Sequence, residues 1–448
     1  MNNDKIKNLS RLIYTTLYLS LILGFYLNED LAGGAMQDFN SYIPVLISFE
    51  ENFLFNFLNY KNYGLDHSPF FLSFINLINI PFYNVEFVFN KSIVFNDLDI
   101  EKYQTEYNAL RLLYLHICLL VPVIFYKCLR IKYKDCNKGL LIILSSLLLL
   151  SPYFRAYAIW PGEINLALLF LLSSFYFFLK LQEEKKMNKK FLLIFFNVLF
   201  FALTAYSRPI YSLISIYFFY KIFSKFKFSN ELYIFIISCI LLASPAFYYF
   251  FVLDQYPFTV YQNFFYNPTF VLYATNILIF STIFLFYAIP FLINRKNLFF
   301  EKVLIFDKTN QLLIIISLFL TLLFIYHFNY HVIYGGGFFY ILSNEIFNNN
   351  VFFYVISFFS ILFILKIIFD YNVNDILLII LLICLDPDPF VYHKTYDPLI
   401  LAIFLLLFNN KFFSNMKKAN QNVFILNLYY FYIGIFFLYF VVRVYSQY

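Results

Sequence analysis

Charge is scarce in this chain: 13% of its 448 residues are Asp, Glu, Lys or Arg, against 62% hydrophobic. So little polar surface cannot solvate a globule, which excludes a soluble protein. Glycine is scarce too, at 10 residues, so backbone suited to close approach of a ligand is confined to few places. The 5 cysteines offer neither a disulfide framework nor a zinc spacing: Cys118, Cys239 and Cys384 fall in hydrophobic stretches, and Cys128 and Cys136 share one loop. No charged residue lies near the middle of any hydrophobic stretch, and only His116 brings an imidazole near one such middle. A hydrogen-bonded core histidine is the simpler reading of it. Ion-coupled transporters carry intramembrane carboxylates or repeated half-helices, and neither is visible. The abundant Phe (66) and Tyr (41) follow from AT-rich coding as readily as from function.

What is present is apolar sequence in lengths suited to a bilayer, whose hydrocarbon core of ~30 Å takes roughly 20 residues of helix. Thirteen stretches stand out, near 12–27, 108–127, 139–154, 164–180, 191–206, 210–224, 232–252, 271–293, 311–328, 351–369, 375–386, 397–409 and 423–442. The expected fold is therefore an all-α polytopic membrane protein of about 13 transmembrane helices, one transmembrane domain over 1–448 with no separate soluble domain. Lys and Arg stay on the cytoplasmic side, and most of the 32 fall on one side if the N-terminus is inside. They recur at every second loop: Lys5, Lys7 and Arg11, the 127–138 and 180–190 loops, Lys221 to Lys227, Arg295 to Lys308, Lys366, and Lys411 to Lys418. The net charge of +6 is thus a topology signal, with no nucleic-acid partner implied. A basic start, an apolar run and Ala32-Gly33-Gly34-Ala35 resemble a signal peptide, but the register of the basic loops requires an uncleaved anchor.

The first outer segment, 28–107, is far longer than the later connections. Residues 42–59 place Ile43, Leu46, Ile47, Leu54, Phe57 and Leu58 on one helical face, with Asn52, Asn56 and Asn59 opposite. A shorter apolar piece covers 69–82. Both are expected to lie along the outer interface. Stretches 375–386 and 397–409 are too short to cross comfortably, so the loop between them should be buried in protein or line a wet cavity.

Polar chemistry concentrates in the outer loops. The first carries Asp30, Gly33, Gly34, Asp38, Asp66, His67 and Pro69; the next carries Arg155, Trp160 and Glu163; Arg208 sits in a tight turn. Later loops hold His327, His331 and Gly335-Gly336-Gly337, then Asp386, Asp388, His393, Lys394, Tyr396 and Asp397. Carboxylates and arginines above a membrane groove suit a lipid-linked phosphosugar: Arg neutralises the leaving phosphate and Asp takes the proton of an attacking hydroxyl. No nucleotide site is needed.

In these features the chain resembles the GT-C fold superfamily of integral-membrane glycosyltransferases, which includes protein O-mannosyltransferases and the aminoarabinose transferases of lipid A. The matching elements are Gly33-Gly34 followed by Asp38-Phe39, His67 with Pro69, the run from Ser151 to Glu163 with Arg155 and Trp160, Arg208, the triple glycine, and Tyr396-Asp397-Pro398. The resemblance spans most of the chain. It implies inverting transfer from a polyprenyl-phosphate sugar to a glycan or lipid acceptor in polysaccharide biosynthesis of the cell envelope. The active site would be on the periplasmic face of a bacterial inner membrane.

An acidic residue of the first outer loop is the family's base, and Asp38 is the candidate, with Asp30 and Asp66 as alternatives. As a cap for a helix starting at 42, Asp38 sits several residues too early. Arg155, Arg208 and Lys394 are candidates for donor phosphate, although interface arginines also snorkel for purely structural reasons. His67, Glu163, Trp160, Gly335, Gly336, His393, Tyr396 and Asp397 are candidates for substrate contact. The site is expected between the first outer loop and the 375–409 hairpin. No cofactor is required. Asp386-Pro387-Asp388 is similar to a divalent-metal motif, but two prolines explain it as a rigid turn, and His327 with His331 reads as a structural pair. The competing functions are an O-antigen-type polymerase and a lipid or solute transporter.

Overall fold

Backbone N–H and C=O groups withdrawn from water must bond within their own segment, so an apolar run in a bilayer becomes helix. The computed structural model describes residues 3–30, 33–65, 67–82, 107–254, 270–294, 308–331, 335–370, 372–386, 391–409 and 421–447, and their regular structure is entirely helical. The helices are α1 (Asn3–Tyr26), α2 (Ala35–Leu58), α3 (Pro69–Asn79), α4 (Asn108–Lys132), α5 (Lys138–Ser145), α6 (Pro152–Ile159), α7 (Glu163–Glu183), α8 (Met187–Ser207), α9 (Ser215–Phe226) and α10 (Asn230–Phe247). They continue with α11 (Phe270–Asn294), α12 (Lys308–Tyr326), α13 (Phe338–Phe347), α14 (Val351–Phe369), α15 (Val373–Ile383), α16 (His393–Tyr396), α17 (Leu399–Leu406) and α18 (Gln421–Gln447).

Among the described residues, nine helices are long and apolar enough to cross a membrane: α1, α4, α7, α8, α10, α11, α12, α14 and α18. The chain is therefore a polytopic helical membrane protein. Where thirteen crossings were expected, four stretches take other forms. The 139–154 stretch breaks at Ser151, and the pieces Lys138–Leu150 and Pro152–Ile159 meet at 68°. Pro152 forbids the continuing hydrogen bond, and the Ser151 hydroxyl caps the new helix through Phe154 N at 3.0 Å. The 210–224 stretch opens as a 3-10 turn over Pro209–Ile214 before α9. The 375–386 and 397–409 stretches give α15 and α17, of 11 and 8 residues.

The chain forms two compact units, Asn2–Lys132 with Leu141–Phe258, and Tyr133–Leu140 with Thr259–Tyr448. In the N-terminal unit, α7 and α8 are 21 residues each and form an antiparallel hairpin closed by three residues. Each is ~31 Å long at 1.5 Å per residue, a match to the hydrocarbon thickness. Equal lengths bring Glu163, at the start of one, to the same end as Arg208, just past the other. Midway, Asn197 Nδ2 donates to Ser174 O at 3.0 Å and Oγ at 2.8 Å, and Ser174 Oγ donates back to Asn197 O at 3.0 Å. In the C-terminal unit, α11 is the buried centre against which α12, α13, α14 and α18 pack.

Helices form over both pieces of the first outer segment, with shifted bounds. The 42–59 helix begins seven residues earlier, at Ala35, and bends at Asn52, with Pro44 inside. The 69–82 piece is α3 followed by a 3-10 turn over Ile80–Phe82. His116 is hydrogen-bonded as expected, to Leu112 O at 2.7 Å and Tyr18 Oη at 3.2 Å, but it is exposed instead of lying in the core.

The α7–α8 clamp sets a stability prediction. Asn197→Leu removes both donations to Ser174, and should lower the unfolding free energy by about 1–2 kcal/mol. Detergent-induced unfolding monitored by circular dichroism measures it, and an unchanged midpoint would show that the clamp contributes nothing.

Candidate functional site

The site grows from one turn. Beyond α1 the chain reverses at Asn28, whose φ of 52° lies in the left-handed region that Asn tolerates. Three successive side chains then take three different anchors. Asn28 Oδ1 accepts from Arg111 Nη2 at 3.0 Å. Glu29 receives Arg155 in a bidentate pair, Nε to Oε1 at 2.7 Å and Nη2 to Oε2 at 2.6 Å. Asp30 accepts from Ala35 N at 3.3 Å and Met36 N at 3.1 Å.

That last contact answers the helix question. The N–H groups at the start of α2 need an acceptor, and Asp30 supplies one across the Gly33-Gly34 turn, where both glycines hold positive φ (72° and 92°). Asp38 is consequently in the first turn of α2, where the helix dipole favours a negative charge. Burial holds the Asp30 carboxyl above its usual range, the Ala35 and Met36 N–H groups oppose that, and the charge of Asp38 adds to it.

Asp38 Oδ2 accepts from the Tyr157 hydroxyl at 2.6 Å. Tyr157 is buried on α6, and Gly162 makes room for it: a Cβ on Gly162 would fall 2.1 Å from Tyr157 Cδ1. Beside them the imidazole of His67 stands 3.3 Å from the Tyr42 hydroxyl and 3.6 Å from Glu163 Oε2. Glu163 also accepts from Ser68 N at 3.3 Å and lies 3.9 Å from Arg208 Nη1. Arg208 caps the C-terminus of α8 and leans over the Tyr211 ring at 5.4 Å. Burial pushes the Tyr42 phenol well above its ordinary value; the charges of Glu163 and Asp38 push the same way and Arg208 opposes them. Asp38, Tyr157, Tyr42, His67, Glu163 and Arg208 thus form one electrostatic neighbourhood.

An apolar cavity of about 290 Å³ lies between α8, the Pro209–Ile214 turn, α9 and α10. Its lining takes Tyr206 and Pro209 from either side of Arg208 in the chain, without Arg208 itself, and Ala202, Ala205, Ala243 and Ala246 give it its width. The Ser68 hydroxyl donates to Tyr206 O, tying the start of α3 to this wall.

Of the residues singled out from sequence, Asp38, His67, Glu163 and Arg208 are brought together. Arg155 lies in the same unit but is buried and bound by Glu29, with a further bond to Ser20 O at 3.1 Å. Trp160 is fully buried as a stacking partner for Arg111, whose guanidinium carbon is 3.5 Å from the ring centroid. Its indole N–H has no hydrogen-bond partner among the described residues. Asp66 lies outside the described residues. Sequence reasoning missed Tyr157, Tyr42, Arg111 and Glu29. For Glu29 and Arg111 the signal was available, since a charge beside an apolar stretch needs an answering group.

The remaining candidates belong to the C-terminal unit. His393 is buried and its Nε2 is 3.0 Å from the Tyr287 hydroxyl, which also bonds the buried Asp397. Gly335, Gly336 and Gly337 hold positive φ and pack beside them: Gly336 N donates to Val391 O at 3.3 Å, and a Cβ on Gly337 would meet His393 Nδ1 at 3.9 Å. Close packing accounts for Gly336 and Gly337, where a Cβ would fall 2.5 Å from Tyr340 Cδ1 and 2.7 Å from Ile283 Cγ1; on Gly335 it would meet Val391 O at 3.9 Å, an ordinary contact. Tyr396 is buried against Phe280, with centroids 5.4 Å apart, and Lys394 Nζ rests 5.1 Å over the Tyr392 ring. In the described part of the loop between α15 and α17, Asp386, Val391, His393, Thr395, Tyr396 and Asp397 are buried in protein.

Asp386 Oδ2 accepts from Tyr392 N at 3.0 Å, and Asp388 lies outside the described residues. His327 and His331 do not share a helix face, because α12 ends at Tyr326. Comparison with protein-family models, curated proteins and solved structures finds no match to the chain.

Gly162 isolates the role of Tyr157. Its φ of −140° suits alanine, so Gly162→Ala should act through the displaced ring, costing about 1–3 kcal/mol. Tyr157→Phe, which removes only the bond to Asp38, should cost about 2 kcal/mol. Thermal unfolding of purified variants reads both, and a Gly162→Ala melt identical to wild type would mean the ring is not held there.

Proposed function

We propose that this protein is a membrane glycosyltransferase of the GT-C type, moving a sugar from a polyprenyl-phosphate donor to a lipid-linked glycan or other acceptor. The observation that carries this reading is Asp38 and Arg208 in one polar neighbourhood, with an apolar cavity between membrane helices whose lining includes Tyr206 and Pro209, on either side of Arg208 in the chain. A donor of this class needs those three things: a base, a cation for its phosphate and an apolar berth for its tail.

The isoprenoid tail enters the alanine-lined cavity and the phosphate sits at Arg208. Asp38, oriented by the Tyr157 hydroxyl, accepts the proton of the acceptor hydroxyl as its oxygen bonds to the sugar C1. The C1–O bond to phosphate breaks on the opposite face, inverting the centre, and the leaving phosphate keeps that electron pair beside Arg208. Glu163 holds Arg208 in place and His67 contributes a hydrogen bond at the acceptor side. Arg155 has a structural part, since its charge is already balanced by Glu29. Lys394, His393, Tyr396, Asp397, Gly335 and Gly336 remain candidates for contacts with substrate.

The topology that accompanies this reading keeps the N-terminus cytoplasmic and the Asp38 cluster on the periplasmic side of a bacterial inner membrane. The 3-10 turn plus α9 extends ~30 Å and suffices for a crossing. At ~17 and ~12 Å, α15 and α17 reach only part way, and taking both as re-entrant leaves the sidedness of everything else unchanged.

Purified protein incubated with radiolabelled polyprenyl-phosphate sugars and membrane acceptors should transfer label. Asp38→Asn should reduce that transfer about 10²–10⁴-fold with donor still bound, and Arg208→Gln should weaken donor binding. Activity kept by Asp38→Asn but lost in Asp30→Asn or Asp66→Asn would move the base. No transfer by wild type, with substrate crossing proteoliposomes instead, would replace the enzyme by a transporter.

A further inference from the structure

At the ends of α7 and α8 opposite Glu163 and Arg208, the turn that joins these helices meets the turn between α9 and α10. Lys190 Nζ bonds Glu231 Oε1 at 3.1 Å across the two turns, Lys225 Nζ donates to Gln182 O at 2.7 Å, and Lys190 Nζ stands 5.0 Å from the Phe226 ring centroid. These contacts make one surface of the two turns. Residues 180–190 and 221–231 carry eight lysines against three glutamates, Glu183, Glu184 and Glu231. Glu231 is buried and paired with Lys190, and Glu184 Oε1 accepts from Lys185 N at 2.9 Å and Lys186 N at 3.0 Å. The Lys186 N–H holds the Glu184 carboxyl below its usual range, and the Lys185 N–H and the charges of Lys189 and Lys186 act the same way.

Lys185, Lys186, Lys189 and Lys227 are exposed, and among the described residues none of their ammonium groups has a carboxylate at salt-bridge distance. Lysines that only fix sidedness can stand anywhere on their side of the bilayer. Here Lys227 holds a φ of 50°, a conformation uncommon outside glycine, and the chain turns there so that Phe228 is 78% exposed. Met187 and Tyr233, at the starts of α8 and α10, are exposed beside the same turns. A soluble polyanion would meet the ammonium groups and leave these apolar side chains in water. A phospholipid meets both, with its phosphate at the lysines and its chains along the helix ends below them.

We propose that the joined α7–α8 and α9–α10 turns bind an anionic phospholipid, with Lys185, Lys186, Lys189 and Lys227 on the headgroup and Phe228 and Met187 against the chains. The inference rests on the membrane setting of the chain and is independent of glycosyl transfer.

Full-length protein in dodecyl maltoside, titrated with phosphatidylglycerol, phosphatidylcholine or glycerol phosphate, tests it by lipid retention in native mass spectrometry and by thermal unfolding. Wild type should retain phosphatidylglycerol about tenfold better than phosphatidylcholine, melt at a higher temperature in its presence and show no response to glycerol phosphate. Changing Lys185, Lys186, Lys189 and Lys227 together to Gln should remove most of that preference, whereas the same change at Lys5, Lys7, Arg11 and Lys127, four exposed cations elsewhere, should keep it. Phe228→Gln should lower retention of both lipids with no change in charge. Equal retention of the two lipids by wild type, equal losses in the two fourfold variants, undiminished retention in Phe228→Gln, or the full thermal shift from glycerol phosphate would overturn the proposal.

Discussion

Arg155 is buried at the broken helix corner, where its guanidinium cannot be left to water, and Glu29 answers it from the turn after α1. Much of the N-terminal unit's polar architecture follows from that bond. A carboxylate drawn to Arg155 fixes the residues on either side of it, and both are used: Asn28 closes on Arg111, and Asp30 reaches the first N–H groups of α2. Arg111 in turn donates to Asn108 Oδ1 and Ile159 O while stacking on Trp160. The starts of α2 and α4, the end of α6 and the end of α1 are thereby bound to one three-residue turn. Removing a single partner from such a network leaves a buried charge, which is why these pairs define geometry more than they add net stability.

The two arginines first considered for phosphate are separated by the same reasoning. Arg155 makes two short, parallel bonds to one carboxylate, the strong geometry for this pair. Arg208 stands 3.9 Å from Glu163, beyond hydrogen-bond distance, so that pair is looser than the one between Arg155 and Glu29. In the proposed function, a cation held in place at a helix C-terminus, whose dipole also favours it, is what a docking phosphate needs.

The sequence made the helices legible because hydrocarbon leaves no alternative for a run such as 164–180 or 351–369, and the antiparallel α7–α8 pair was implicit in two equal runs with a basic turn between them. It misjudged where breaks alter the form. Pro152 and Pro209 were visible, yet an apolar run reads as continuous until the capping bond at Ser151 is known. The start of α2 was misplaced because its acceptor, Asp30, lies five residues ahead of Ala35, beyond any local capping pattern. Asp38, His67, Glu163 and Arg208 could be chosen from polarity and sidedness. Tyr157 and Tyr42 could not, since nothing distinguishes them among 41 tyrosines until Gly162 and His67 are seen against them.

Two carboxylates on α2 sit in different surroundings. Asp38 and Glu50 are 12 residues apart, ~18 Å at helical rise, with Pro44 between them. The first accepts from the Tyr157 hydroxyl inside the polar neighbourhood, and the second accepts from Asn79 Nδ2 among phenylalanines where α2 packs on α3. The bond from α3 thus braces the helix whose first turn carries Asp38.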